Sequence, residues 1–109
     1  VSNKVTRLAN NLIGTTDREI LESYGKHAIV HGWATRFAWD EEDGDPRFDI
    51  FRGGVNEELA LRIGRHRESD EFFAQDAAGQ QIVAGTLDHV MAEMDAWLNG
   101  EPKSGPSSA

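Results

Sequence analysis

Cysteine is absent from this 109-residue chain. That excludes disulfides, thiolate catalysis and Cys-ligated metal, and it fits a reducing compartment. Also missing is any apolar run long enough to span a bilayer. The first residues are polar and lack the apolar core of a secretory signal. Basic residues are scarce: 11 Lys and Arg stand against 19 Asp and Glu, for a formal net charge of −8 and a pI near 4.8. Phosphate binding is driven by Lys and Arg, so this balance argues against nonspecific nucleic-acid binding and suits a basic protein partner. The expectation is a cytoplasmic protein with neither nucleic acid nor membrane as partner.

Catalytic and cofactor motifs are missing too. The chain has no Walker loop, no Gly-x-Gly-x-x-Gly pattern and no serine in a nucleophile elbow. His27 and His31 are four apart, which places both on one side of a helix or a strand. No glutamate stands between them as in His-Glu-x-x-His, and no third ligand clusters with them. His31 is expected at the buried edge of a strand, and neither a metal nor a cofactor is expected. The acidic run Asp40 to Asp45 invites calcium, but an EF-hand loop with Gly44 in sixth place would make Trp39 the first ligand, which it cannot be. Asp49, Glu58 and His66 are of the types used in acid–base catalysis, yet their spacing does not compel them together.

What is present is periodicity. Ile29 to Trp39 alternates bulky and small side chains. As a strand it would send Ile29, His31, Trp33, Thr35, Phe37 and Trp39 one way, and Val30, Gly32, Ala34, Arg36 and Ala38 the other. Asp40 to Pro46 reads as an acidic turn, and Arg47 to Arg52 as the returning strand. Strands are predicted again at Glu58 to His66, Phe72 to Gln75 and Gln81 to Ala84, joined by short loops. Short loops imply an antiparallel meander. A helix is predicted over residues 3–13. A second opens with a Thr16–Glu19 capping box and stops at Gly25. The clearest helix is Thr86 to Asn99, with Leu87, Val90, Met91, Met94, Trp97 and Leu98 at helical spacing and Gly100 as its stop.

These elements predict the α+β class: an antiparallel meander of four to five strands, a C-terminal amphipathic helix on one face and short N-terminal helices. Residues 1–100 read as one domain and 101–109 as a loose Ser/Pro/Gly-rich tail. The last helix should lie across Trp33, Phe37, Leu59, Leu61 and Ile63. Gly32, Ala34, Ala38, Ala60 and Gly64 should form a shallow trough on the other face, roofed by the N-terminal helices. The functional expectation is a non-enzymatic acidic interaction module of the inhibitor, immunity or chaperone-like adaptor kind. It would meet a basic protein through Asp40, Glu41, Glu42, Asp43 and Asp45. A homodimer is the other partner considered. The alternative is a small-ligand or minor enzyme site in the trough, using Arg36, Arg62 and His66.

Overall fold

The structure is a computed structural model and describes residues 12–104. Helix α1 (Thr15–Val30) comes first. Strands β1 (Arg36–Glu42), β2 (Asp45–Arg52), β3 (Glu58–Arg65), β4 (Phe72–Gln75) and β5 (Gln81–Gly85) follow, and α2 (Leu87–Ser104) closes the order. The strands form one antiparallel sheet in sequence order. The predicted α+β meander is therefore the fold. The helix predicted over residues 3–13 falls almost wholly outside the described residues.

Helix α1 corrects the sequence reading in three places. Its N-cap is Gly14 with no side-chain cap, so the Thr16–Glu19 capping box does not form. It does not stop at Gly25. Leu21, Tyr24, Gly25 and Ala28 are its buried stripe, at the i, i+3, i+4 and i+7 spacing of one helix face. Gly25 is there for contact: a Cβ would stand 2.6 Å from the Phe37 ring and 3.1 Å from that of Phe48. The helix closes at Gly32, whose φ of +80° a glycine takes without strain. The Trp33 amide donates to the Ala28 carbonyl at 2.8 Å and the Gly32 amide to that of Ile29 at 3.0 Å, a Schellman closure. Ile29 and Val30 are thus helical, and the strand predicted from Ile29 to Trp39 begins only at Arg36.

Asp43 (φ +54°) and Gly44 (φ +85°) make a two-residue turn between β1 and β2, and both torsions are those of the tight hairpin turn that matches strand twist. Asp76 closes the β4–β5 hairpin, accepting from the amides of Ala78 and Gln80 at 3.0 Å each. Thr86 caps α2 as predicted, its hydroxyl accepting from the His89 amide at 3.2 Å. Helix α2 runs past Gly100, which does not end it.

Both helices lie on the same sheet face. Helix α1 packs on β1 and α2 on β4 and β5. The Tyr24 hydroxyl joins the two helices by donating to Asp95 at 3.3 Å. Leu21, Tyr24 and Ala28 of α1 and Leu87, Val90, Met94 and Leu98 of α2 enclose Phe48, Ile50, Leu61, Ile63, Ala74 and Val83 of the sheet. Each large side chain buried this way contributes roughly 1.5–3 kcal/mol. Trp33 and Trp97 pack at the margin of this core, not within it. The expectation that N-terminal helices roof the small-residue face is therefore overturned for α1. No described element lies on that face. Among the described residues, no helix is long and apolar enough to cross a membrane.

Candidate functional site

One strand position away from the core residues, the same strands build a second, open face. Cross-strand register sets Ala38 beside Asp49, Asp49 beside Arg62, and Arg62 beside Gln75. In the next row Asp40 faces Arg47, and Gly64 faces Phe73, which faces Ala84. Alternation along a strand guarantees that these side chains point away from Phe48, Ile50, Leu61 and Ile63.

The centre of this face is an ion-pair lattice. Asp49, only 3% exposed, receives both arms of Arg62: Nε to Oδ1 at 2.7 Å and Nη2 to Oδ2 at 2.8 Å. This bidentate geometry is the strong form of the pair. Arg62 also reaches Asp40 at 3.1 Å and Glu42 at 3.7 Å. The hydrogen bonds that Arg62 donates to Asp49 raise the Arg62 pKa, so its charge is fixed at any ordinary pH. Arg47 meets Glu42 at 3.3 Å, and Arg67 meets Asp45 at 2.8 Å through Nε, which likewise raises the Arg67 pKa.

Aromatic rings on this face are lidded by arginines. The Arg47 guanidinium stands 5.2 Å from the Phe73 ring centre, and His66 stacks on the same ring at 4.3 Å. Phe73 is 2% exposed although no described helix covers it. Arg36 lies 4.0 Å over Phe51 and is held there by Glu57 at 2.8 Å. Hydrogen bonds from Arg36 and Thr35 hold the Glu57 carboxyl below its ordinary range. Contacts of this kind are worth about 0.5–1 kcal/mol each at exposed sites.

The acidic residues singled out from sequence fall at one place. Asp40, Glu42 and Asp45 sit at the hairpin end of the open face, each paired with an arginine. Glu41 and Asp43 are exposed and make no ion pair among the described residues. Arg36, Arg62 and His66 do not converge. Arg36 is held by Glu57, Arg62 by Asp49, and His66 by Phe73 and a 3.0 Å hydrogen bond with Gln81. The trough is partly filled, since a Cβ on Gly64 would lie 2.7 Å from Phe73 and 2.8 Å from Arg47. Gly32 and Ala34 fall in the connection before β1 and do not contribute. Asp49, Glu58 and His66 are likewise not brought together: Asp49 is spent on Arg62, and Glu58 pairs in register with Arg52 at the far end of β3. His31 is no strand residue; it is the exposed C-cap of α1. Among the described residues, no group of three or more His, Cys, Asp or Glu could hold a metal ion.

Sequence reasoning missed Asp49 and Arg47 as parts of the open face. Their shared parity with Asp45 along β2 was the available signal. Elsewhere, an open groove of about 430 Å³ lies between the two helices, its lining including Ile20, Tyr24 and His27 of α1 and Met91 of α2. No family model matches the chain, and no significant match is found among curated proteins or solved structures.

Proposed function

We propose that this chain is a non-enzymatic protein-interaction module that meets a basic partner through the β1–β2 hairpin end of its sheet. The supporting observation is a charge imbalance on a rigid platform. Asp40, Glu42, Asp45 and Asp49 on the open face and Asp43 in the turn supply five carboxylates against the three guanidiniums of Arg47, Arg62 and Arg67, and Glu41, of opposite parity in β1, adds a sixth on the helix side of the same hairpin end. Internal pairing fixes the geometry, and the excess charge remains available to steer a cationic surface. Glu41 and Asp43, exposed and without an ion pair among the described residues, are the contact groups. A small-ligand site on Arg36, Arg62 and His66 would first have to break three existing pairings. A homodimer formed through the two hairpin ends themselves would set Asp40, Glu41 and Glu42 close to their own copies, and like charges oppose that contact.

The test is affinity capture by wild type and by a Glu41→Gln/Asp43→Asn double variant, at low and raised salt. The wild type should retain basic proteins at low salt and release them as salt screens the contact over about 8–10 Å. The double variant should retain much less at low salt. Equal capture by both chains would remove the hairpin end as the contact.

A further inference from the structure

The last turn of α1 carries an arrangement independent of the open face. His27 lies within the helix, and His31 is its C-cap with φ −84° and ψ 0°, so the helical turn is unbroken between them. Their rings therefore project from one side, one turn apart, with centroids 4.3 Å apart and planes tilted by 58°. Both residues are exposed. The Trp33 indole braces the pair: it stacks on His31 at 5.0 Å and meets the edge of His27 at 5.4 Å. The Schellman closure fixes Trp33 there, because its amide is tied to Ala28. The site also lies at the helix C-terminus, where the peptide dipoles favour a cation.

We propose that His27 and His31 form a two-nitrogen chelate for a borderline divalent metal, Cu²⁺, Ni²⁺ or Zn²⁺. Imidazoles one helical turn apart reach one metal ion from the same side, as in the His-x-x-x-His half of helical zinc sites. Imidazole nitrogen suits these three ions, whereas Mg²⁺ and Ca²⁺ require oxygen ligands. No carboxylate or third histidine completes the group among the described residues. The remaining coordination positions are thus left to water or to an incoming donor. Trp33 acts as a positioning residue, holding both rings on the same side of the helix.

The test uses the full chain without a histidine tag, titrated with Cu²⁺, Ni²⁺, Zn²⁺ and Mg²⁺ and followed by calorimetry and tryptophan emission. Expected is saturable binding of the first three, Cu²⁺ tightest, and none of Mg²⁺. His27→Ala and His31→Ala should each weaken binding by roughly tenfold or more, the scale of losses at metal sites. His66→Ala and His89→Ala should leave it unchanged. Cu²⁺ should quench part of the tryptophan emission, and Trp33→Phe should remove that part. Both target histidines are exposed, so circular dichroism should be unchanged in His27→Ala and His31→Ala. Absence of saturable binding would overturn the proposal. So would binding that survives the His27→Ala/His31→Ala double variant, or quenching that persists without Trp33.

Discussion

The two faces of one sheet are built from the same strands, one residue out of step, and are held by different physics. On the covered face, Phe48, Ile50, Leu61 and Ile63 are wholly buried and fit around Gly25 and the helix side chains. Shape and volume decide what is tolerated there. On the open face, Asp49, Arg62, Arg47 and Glu42 are joined by ion pairs, and arginines lie over Phe73 and Phe51. Partner identity decides what is tolerated there, more than volume. A face on which no described helix lies need not be a vacant binding surface. In this sheet much of the open face's charge is already spent on itself, and what it offers outward is the remainder at the hairpin end.

The sharpest way to break this contrast is to cut each face at its centre. Phe48→Ala should cost about 3–5 kcal/mol in urea denaturation, because the side chain is fully buried between α1 and the sheet. A loss below about 1 kcal/mol would mean that the core is not organised around it. On the open face, Arg62→Met should cost about 2–3 kcal/mol, since the buried Asp49 carboxylate loses its bidentate partner. Arg62→Met/Asp49→Leu should recover most of that loss, as replacing a whole pair is cheaper than halving it. If the double variant is as unstable as the single, the pair is not what holds this face.

A third prediction sharpens the covered side by pH. Tyr24 is 8% exposed and is the single tyrosine of the chain. Burial first, then the charge of Asp95 and its hydrogen bond, raise the phenol pKa above 10. A raised folded pKa gives stability that is whole below the unfolded value and lost as pH rises past it. Stability should therefore fall above pH about 10, by up to roughly 1.4 kcal/mol per pH unit. Tyr24→Phe should remove that part of the slope. Tyrosinate absorbance in the native chain should titrate later than in urea; coincident curves would place Tyr24 in solvent.

The smallest expected effect is at the hairpin end. Glu41→Gln/Asp43→Asn should change stability by less than about 0.5 kcal/mol, since neither residue is ion-paired among the described residues and Asn accepts the positive φ of position 43. Adding Asp40→Asn, Glu42→Gln and Asp45→Asn should cost more, because Arg47, Arg62 and Arg67 lose partners. Equal stability of the two variants would reduce the lattice to incidental surface pairing.

The strands were legible because a period of two is a strong local signal. Phe72–Gln75 was predicted with its observed bounds, and Asp45–Arg52 and Glu58–Arg65 within two residues at each end. The helix stripe of α2 was equally plain. What failed were the two glycine signals. Gly25 and Gly100 look like helix stops from sequence, but α1 uses Gly25 to let Phe37 approach, a long-range requirement that no local pattern carries. That error moved Ile29 and Val30 into a strand and His31 to a buried edge. It also hid the helical geometry that joins His27 to His31. The acidic run was visible as charge, but its neutralisation by Arg47, Arg62 and Arg67 depends on strand register, which composition does not reveal.

The contrast between the faces is tested most directly by single cysteines, which the absence of native cysteine makes clean. Ala38→Cys and Gln75→Cys lie on the open face, and Ala74→Cys faces the helices. In the native chain the first two thiols, at half-buried positions, should react with a small alkylating reagent without unfolding, though more slowly than in the unfolded chain. The third should react only on unfolding. Protection of Ala38→Cys and Gln75→Cys as strong as that of Ala74→Cys would show that something covers the second face, and would contradict the division into one covered and one open face.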